Sequence, residues 1–279
     1  MPDVAYVNDR FLPLAEATVS IDDRGFLFGD GIYEVIRTYH GTPFQLDAHL
    51  ARLKRSADAL SLTLPRSLEE VARLVDEALG RGGWPESKIY MQITRGVAPR
   101  DHVFPAGVRP TFVMTVRELR PLDPALRTRG VAGVTMDDLR WGRCDIKSVN
   151  LLANVLARQR ANEAGAFEAL FVREGAVTEG SVSNVLIVRD GVIATTPEGH
   201  AILSGVTRQV VLELARKAGI AVQERRVPLD ELRQADEIVL MGTTVEVLPV
   251  VTLDSRPVGT GRPGPIAARL HASFTEFAA

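Results

Sequence analysis

The chain of 279 residues is long enough for one large or two ordinary domains, and its 46% hydrophobic residues can fill sizeable cores. A formal net charge of -2, from interspersed acids and bases, disfavours partners such as nucleic acid or an anionic membrane. The single Cys144 excludes an intramolecular disulfide, and no cysteine or histidine cluster suggests a structural metal. Because Met1 to Arg10 lack the apolar core of a secretion signal and no apolar run could span a bilayer, a cytoplasmic enzyme or binding protein is expected.

The first half of the chain has the pattern of a small α+β domain. Runs rich in β-branched and aromatic residues predict four strands, at Val4 to Val7, Gly31 to Tyr39, Ile89 to Thr94 and Thr111 to Val116. Two helices are predicted between the second and third strands, one capped by Asp47 and one by Ser67, where Glu70 completes a capping box. The loop of residues 95–110 is long, and loops of this length are commonly functional.

A domain boundary is predicted at Arg120-Pro121-Leu122-Asp123-Pro124, because two prolines there interrupt both helix and sheet. We therefore expect a smaller α+β domain over residues 1–119, a linker over 120–125 and a larger α/β domain over 126–279.

The larger domain alternates predicted strands and helices. Apolar runs predict strands at Val131 to Met136, Glu168 to Arg173, Val185 to Val188, Val192 to Thr195, Ala221 to Val227 and Glu237 to Met241. Helices are predicted over about 150–165, 205–217 and 229–234, and from about residue 263. The first of these helices is expected to bury Leu152, Val155 and Leu156.

One lysine is distinguished by its surroundings. The chain has only four lysines, and Lys147 alone opens an apolar segment, in the run Cys144-Asp145-Ile146-Lys147-Ser148-Val149-Asn150-Leu151-Leu152. A lysine attacks a carbonyl carbon only as a neutral amine, so a catalytic lysine needs desolvation or a cationic neighbour. Lys147 is thus the candidate covalent catalyst, with an ordinary solvated lysine near a helix start as the alternative.

Three further segments would together suit an anionic aromatic aldehyde cofactor. Leu203-Ser204-Gly205-Val206-Thr207-Arg208 offers the free amides of a helix start to a phosphate, and Gly242-Thr243-Thr244 could complete the phosphate site. Glu179, in the segment 178–184, could face a pyridine nitrogen and keep it protonated. The alternatives are an ordinary helix start, a polar turn at a strand end and a surface turn.

Seven motifs, in order along almost the whole chain, resemble the fold type IV pyridoxal 5'-phosphate (PLP) enzymes, and among them the D-amino acid aminotransferases. The motifs occupy residues 22–26, 28–35, 94–96, 99–102, 140–148, 177–181 and 205–208. The resemblance implies two α+β domains with PLP in the cleft between them, and assembly as a homodimer.

The resemblance also implies a role for each cofactor residue. Lys147 forms a Schiff base with PLP and moves a proton between the substrate Cα and the cofactor, and Glu179 pairs with the pyridine nitrogen. The phosphate is held by Arg52, Val206, Thr207 and Thr243. Ser181 supports this hydrogen-bond network, and Leu203 packs on the ring. Without the resemblance, Arg52 would be interpreted as a solvated helix residue.

The α-carboxylate of the substrate would bind Tyr33, Arg100 and His102, an arrangement by which this family differs from its branched-chain relatives. Without the resemblance, these residues would be a core tyrosine, an exposed arginine and a locally satisfied histidine.

Two positions depart from the expected pattern. Asp101, between Arg100 and His102, would repel the carboxylate or pair with Arg100 if it pointed inward, although an outward direction is expected. Val182 makes the segment after Glu179 more apolar.

The resemblance predicts a PLP-dependent, ping-pong transamination through pyridoxamine phosphate. D-Amino acids such as D-alanine or D-glutamate would be donors, and 2-oxo acids such as 2-oxoglutarate or pyruvate would be acceptors. The alternatives on the same scaffold are an L-branched-chain or (R)-amine aminotransferase and an aminodeoxychorismate lyase. A PLP-binding or partner-binding protein without turnover is the alternative of another class, which the presence of Lys147 and Glu179 disfavours.

Overall fold

A computed structural model describes residues 3–279 of the chain, which divide into two compact units. The first unit contains the residues up to Arg120 together with Ile146–Asn150, and the second contains Pro121–Asp145 and Leu151–Ala279. The division after Arg120 falls in the predicted linker, but Lys147 belongs to the first unit, whereas the sequence placed it in the larger domain. The reason is non-local, because Ile146 is buried in the first core and Ser148 forms a β-bridge with Ile32.

The first unit is an antiparallel sheet of six strands with two long helices packed on it. The elements are β1 (Val4–Val7), β2 (Arg10–Pro13), α1 (Arg24–Phe28), β3 (Gly31–Tyr39), β4 (Thr42–Pro43), α2 (Leu46–Ala59), α3 (Leu68–Gly82), β5 (Ser87–Thr94) and β6 (Thr111–Glu118). The strand order is β2-β1-β6-β5-β3-β4. Helix α2 packs against β3, and α3 packs against β1 and β6.

Side-chain caps mark the beginning of two of the three α-helices named above, α1 and α3. The capping box of α3 is confirmed, with Ser67 and Glu70 bonded reciprocally. The prediction that Asp47 caps α2 is wrong, because the helix begins at Leu46 and Gln45 is its N-cap, in the left-handed region at φ 51°. The short α1 was not predicted. Its cap is Asp23, whose Oδ1 accepts a hydrogen bond from the Gly25 amide at 2.8 Å.

The second unit is built on a mixed sheet of ten strands. Its elements are α4 (Ala125–Arg129), β7 (Val131–Asp137), α5 (Leu152–Glu163), β8 (Glu168–Arg173), β9 (Ala176–Gly180), β10 (Asn184–Arg189), β11 (Val192–Thr195), α6 (Val206–Lys217), β12 (Val222–Glu224), β13 (Val227–Pro228), α7 (Leu229–Arg233), β14 (Glu237–Gly242), β15 (Glu246–Leu253), β16 (Arg256–Pro257) and α8 (Pro265–Ala278). The strand order is β12-β11-β10-β14-β15-β7-β8-β9-β13, and β16 pairs with β15. The two sheets and their helices confirm the predicted α+β class.

Helices cover the strands of this unit in two places. Helix α5 packs on β7 and β8, whereas α8 packs on β14 and β15 and also contacts α6. The pairs β7 with β8, β7 with β15 and β11 with β12 are parallel, and the other pairs of the path are antiparallel. In the part of the chain that the structure describes, no helix combines the length and apolarity that crossing a membrane requires.

Helix α5 buries a different face from the predicted one. Leu152, Val155 and Leu156 are 71%, 59% and 52% exposed, so the prediction that they lie on the inner side is wrong. Ala157 and Ala161 are buried instead, in a cluster with Phe171 of β8. Two alanines allow the helix backbone to approach the strands closely, and this leaves the large apolar side chains uncovered within one chain.

Candidate active site

Backbone contacts in the first unit fix the position of Lys147. Its carbonyl accepts a hydrogen bond from the Tyr33 amide at 3.0 Å, and its own amide donates to Ser56 Oγ at 3.1 Å. The Lys147 Nζ atom lies 4.2 Å from the centre of the Tyr33 ring, which itself stacks on Tyr90. The structure thus brings the predicted covalent lysine together with one of the three predicted carboxylate ligands.

Arg52 belongs to a buried charge cluster, so its interpretation as a solvated helix residue is wrong. Its Nε and Nη2 atoms donate to the two oxygens of Glu34, both at 2.8 Å, and His49 Nδ1 lies 2.8 Å from the same carboxylate. Burial acts to raise the pKa of Glu34, but the charge and hydrogen bonds of Arg52 and His49 outweigh it and lower this pKa to about 2. A permanent cation is therefore fixed inside the first unit.

The same cluster is electrostatically linked to Lys147. Burial is the largest cause of the lowered pKa of His49, and the charges of Arg52 and Lys147 lower it further, against the opposing effect of Glu34. His49 therefore favours its neutral form. Arg52 and Lys147, both predicted to hold the cofactor, are therefore close enough for their charges to lower the pKa of His49.

Arg100 and His102 lie on an exposed loop segment, which we call the 100–104 arm. Both side chains contact Phe28 of α1: the Arg100 guanidinium carbon lies 5.2 Å from the ring centre, and the ring centres of His102 and Phe28 are 5.3 Å apart. In the part of the chain that the structure describes, neither side chain has a hydrogen-bond partner. Two of the predicted carboxylate ligands therefore contact the same aromatic ring, whereas Tyr33 contacts Lys147.

Asp101 is turned back onto its own loop. Its Oδ1 atom accepts a hydrogen bond from the Val103 amide at 3.3 Å, and the residue is exposed. Among residues 3–279, no ion pair joins Asp101 to Arg100. The local turn thus occupies one oxygen of the carboxylate that the sequence placed between the two ligands.

Glu179 is held by three donors in the second unit. Its Oε1 atom accepts from Arg140 Nη1 at 2.5 Å, and its Oε2 atom accepts from Asn184 Nδ2 at 2.9 Å and from the Leu203 amide at 3.0 Å. The residue is only 5% exposed. A buried carboxylate with a cation and two neutral donors favours its charged form, which is the form that could hold a proton on a pyridine nitrogen.

Arg140 contacts Glu179, and the sequence analysis did not predict this contact. It donates to both oxygens of the buried Asp138, each at 2.9 Å, and it contacts the Phe171 ring. Burial acts to lower the pKa of Arg140, but hydrogen bonds with Asp138 and the charge of Glu179 raise it above its ordinary value. Arg140 occurs in one of the recognised motifs, yet no local pattern connects it to Glu179, which is 39 positions away.

The start of α6 has the features of an anion site. Gly205 is its N-cap, and among the described residues no side chain caps this end. Val206 and Thr207 are buried in its first turn. A Cβ at position 205 would lie 1.9 Å from Asn184 Oδ1, so glycine is required where the Glu179 network meets the helix. The amides of this helix start suit a phosphate group.

The structure also shows the surroundings of three other predicted cofactor residues, Leu203, Ser181 and Thr243. Leu203 contributes its backbone amide to Glu179, in addition to any packing of its side chain. The Ser181 hydroxyl donates to the buried Glu168, and Ser183 donates to the other oxygen of that carboxylate at 2.9 Å, so Ser181 organises Glu168 rather than Glu179. Thr243 follows β14 and is half-buried. Val182 is exposed between the two serines.

These groups fit PLP by the chemistry of their donors. The first unit supplies a lysine amine and the buried cation of Arg52, and the second supplies a fixed carboxylate and an uncapped helix start. An aldehyde, a pyridine nitrogen and a phosphate are the groups that such donors recognise.

Comparison with known proteins identifies the family. The family model of amino-transferase class IV matches residues 31–253. The chain belongs to the class IV aminotransferases. Among similar curated proteins, the D-alanine aminotransferase of Bacillus licheniformis is 42% identical over 267 residues, 96% of this chain and 94% of that protein. The D-alanine aminotransferase of Staphylococcus aureus (strain MW2) is 43% identical over 274 residues, 98% of this chain and 96% of that protein.

A solved class IV structure has the same fold. The branched-chain amino acid aminotransferase of T.th. with pyridoxamine 5'-phosphate superimposes with a TM-score of 0.91 and 31% identity, covering 99% of this chain and 93% of that one. The family resemblance drawn from the seven motifs is therefore confirmed. This class IV aminotransferase is similar in sequence to D-alanine enzymes and in structure to a branched-chain enzyme, so the substrate must be argued from the site.

Proposed function

We propose that the chain is a PLP-dependent aminotransferase that moves the amino group of D-amino acids to 2-oxo acids. D-Alanine or D-glutamate would be donors, and pyruvate or 2-oxoglutarate would be acceptors. The observation that carries the choice of substrate is the contact of both Arg100 and His102 with Phe28, on an exposed segment where their polar groups can reach a ligand. A planar guanidinium beside an imidazole suits an α-carboxylate.

The cofactor residues proposed are those of the two groups described above. Lys147 would attach PLP, and Glu179, supported by the Leu203 amide, would face its pyridine nitrogen. Ser181 would support the site indirectly, through its hydrogen bond to Glu168. Arg52, Thr243 and the amides of Val206 and Thr207 would bind the phosphate. When bound, PLP supplies an electron-poor ring that stabilises negative charge at the substrate Cα.

Lys147 and Glu179 are the residues proposed to control the two protons of the reaction, one on the substrate Cα and one on the ring nitrogen. Lys147 would remove the proton from the substrate Cα and then donate it to the cofactor, so it would act first as base and then as acid. Glu179, paired with Arg140 at 2.5 Å, would accept a hydrogen bond from the protonated ring nitrogen. Tyr33, whose ring contacts Lys147 Nζ, and the Arg100–His102 pair would orient the substrate carboxylate.

Transfer from L-branched-chain amino acids is the second candidate. The likeness to the solved branched-chain enzyme favours it, with a TM-score of 0.91. The two candidates differ in the chirality of the donor. The deciding experiment supplies PLP-loaded protein with 2-oxoglutarate and either D-alanine or L-leucine, and measures the oxo acid formed. Faster pyruvate formation from D-alanine supports the proposal, and turnover of L-leucine alone contradicts it.

Replacing Lys147 tests the catalytic assignment. We expect Lys147→Ala to lower kcat by at least about 10³-fold and to release PLP on a desalting column, because both the attachment point and the base are lost. Lys54→Ala is the matched control, since Lys54 is exposed and paired with Asp58. Near-normal turnover by the Lys147 variant would remove this residue from the mechanism.

The proposal includes a homodimer located in the cytoplasm. Leu152, Val155 and Leu156 form an exposed apolar surface on α5, and such surfaces often mark interfaces. Light scattering after size-exclusion chromatography measures the mass, and a monomer at micromolar concentration would contradict this part of the proposal.

A further inference from the structure

We propose that Arg24 is a positioning residue for the 100–104 arm, and that it sets the affinity for the substrate carboxylate without touching the substrate. This inference rests on the proposed function. Arg24 is only 3% exposed, and its guanidinium points at three consecutive backbone carbonyls of the arm. An arginine placed in this way acts on the backbone that carries Arg100 and His102.

The contacts differ in strength. Arg24 Nη1 donates to the Asp101 carbonyl at 2.5 Å and to the Val103 carbonyl at 3.4 Å, and Nη2 donates to the His102 carbonyl at 3.5 Å. The first is a short, charge-assisted hydrogen bond, whereas the other two are at the long limit for such bonds. Most of the restraint therefore acts at Asp101, the residue between the two carboxylate ligands.

Arg24 is itself anchored to the body of the first unit. Its Nε atom donates to Asp30 Oδ2 at 2.8 Å, and its amide donates to the Gly96 carbonyl at 2.9 Å. Asp30 also accepts from Arg95 Nε at 2.9 Å and from Arg95 Nη2 at 3.1 Å. The carboxylate of Asp30 thus links two arginines, Arg24 and Arg95. These contacts hold the Arg24 side chain in place independently of its contacts with the arm.

The second arginine holds the other end of the arm. The guanidinium carbon of Arg95 lies 3.6 Å from the centre of the Phe104 ring, and its donors reach the carbonyls of Leu60 at 2.8 Å and Ser61 at 2.9 Å, just after α2. The arm is therefore tied at 101–103 through its backbone and at Phe104 through a cation–π contact.

Helix α1 holds the side chains as well as the backbone. Phe28 is four positions after Arg24, on the same face of the helix, and the Arg24 guanidinium carbon lies 4.8 Å from its ring centre. The same ring contacts Arg100 and His102. One short helix thus fixes the arm's backbone with Arg24 and the two ligand side chains with Phe28.

The prediction is a change in KM rather than in kcat. We expect Arg24→Gln to raise the KM for D-alanine about tenfold, because the carboxylate ligands lose their fixed position, and to change kcat less than about threefold. Arg24→Lys should recover part of the loss, since it retains a cation but not the planar donor group. PLP-loaded protein is used throughout.

Arg37→Gln is the matched control. Arg37 is also a buried arginine of the first unit, 7% exposed, paired with Glu86 at 3.0 Å and lying 4.0 Å from the Tyr39 ring centre. It lies at the other end of β3 from Asp30, so its loss should disturb folding without moving the arm. An equal increase in KM in this variant would mean that Arg24 has only a general structural role, and would overturn the inference.

A double substitution tests whether Arg24 acts through Arg100. If it does, adding Arg24→Gln to Arg100→Gln should change the KM less than about twofold further, because the affected ligand is already gone. A full tenfold additional increase would overturn the inference.

Hydrogen exchange of the arm separates this inference from the proposed function, because it needs no substrate. We expect faster amide exchange in residues 100–104 of Arg24→Gln and unchanged exchange there in Arg37→Gln. If the wild-type protein fails to use D-alanine but amide exchange in the arm becomes faster in Arg24→Gln, the proposed function is wrong, while the role of Arg24 in positioning the arm is supported. If D-alanine is used and neither KM nor exchange changes, the inference on Arg24 fails alone.

Discussion

Glu179 and Arg100 are two charged groups proposed to meet a ligand, and the fold holds them in opposite ways. Glu179 is buried, and a cation, a side-chain amide and a backbone amide fix both of its oxygens. Arg100 is exposed, and its side chain rests on one aromatic ring, while the neighbouring backbone is held by Arg24. Glu179 is therefore fixed through its carboxylate, whereas Arg100 is fixed through the backbone of the 100–104 arm.

The difference follows from what each group has to do. In its proposed role Glu179 would keep one charge throughout the reaction, so Arg140 could offset its desolvation permanently. Arg100 would bind and release a carboxylate in every turnover, and a permanent partner would compete with the substrate. Anchoring the backbone of the arm limits its movement without occupying the guanidinium.

The largest expected effect tests the Glu179 side of this comparison. Arg140→Gln removes a buried cation that contacts the carboxylates of both Glu179 and Asp138, although Asp138 keeps Arg173 at 3.1 Å, so we expect a loss of roughly 3–5 kcal/mol in the free energy of unfolding. Urea unfolding of the cofactor-free protein measures it. Arg143→Gln is the control, because Arg143 pairs with Asp145 in a more exposed position and should leave the unfolding midpoint unchanged. Equal midpoints for the two variants would refute the buried network.

The Glu34 cluster supplies a pH test of the same principle in the first unit. Because the pKa of Glu34 is lowered to about 2 in the folded chain, from an ordinary 4.5, its contribution is fully present above pH 4.5. It is lost as the pH falls from 4.5 towards 2, and this loss is on the order of 3 kcal/mol. The lowered pKa of His49 acts in the same direction, since protonation below its ordinary pKa of 6.5 favours the unfolded chain.

Glu34→Gln separates this contribution from that of the other carboxylates. The variant should be less stable at pH 7, because Arg52 loses the negative charge of Glu34, and should lose less stability than the wild type between pH 4.5 and pH 3. Glu77→Gln is the control, as Glu77 pairs with Arg81 at the surface and should leave the pH dependence unchanged. Parallel pH curves for Glu34→Gln and the wild type would count against the cluster.

Arg100→Gln tests the exposed side of the comparison. A hydrogen bond to a charged group contributes about 1.5–3 kcal/mol, so we expect the KM for D-alanine to rise roughly 10- to 100-fold with little change in kcat. Stability should not change. Arg109→Gln is the control, because Arg109 is an exposed arginine of the same long loop and pairs with Asp9. A KM unchanged by the loss of Arg100 would remove this residue from the carboxylate site.

The sequence predicted the regular elements better than their contacts. Strand Gly31–Tyr39 and the capping box at Ser67 follow from local patterns, and both were predicted correctly. The membership of Lys147 in the first unit depends on the bridge between Ser148 and Ile32, which no local pattern contains. The face that α5 buries was wrong for a similar reason, since two alanines rather than the leucines meet the sheet.

The site shows the same limit. Lys147 stood out because few lysines exist and only one opens an apolar segment, and the helix start at Gly205 was visible from the sequence. Arg24 and Arg140 are two among 29 arginines, and only the folded chain places them against Asp30 and Glu179. Groups that act through long-range contacts leave no periodic signal, so the residues that position the site were missed while those proposed to touch the ligand were found.

The smallest expected effect on KM concerns Asp101, the residue between Arg100 and His102 that departs from the pattern of the family. Its carboxylate accepts from the Val103 amide and is exposed, so water and salt screen its charge. We expect Asp101→Asn, which retains an acceptor for that amide but removes the charge, to change the KM for D-alanine less than about threefold. Asp101→Ala also removes the acceptor, and a larger KM in this variant alone would assign the residue to the turn. A tenfold lower KM in both variants would instead mean that Asp101 repels the substrate or competes for Arg100. In that case Asp101 would compete with the substrate carboxylate for Arg100. Arg100 would then differ from Glu179 in having a weak partner rather than no permanent partner.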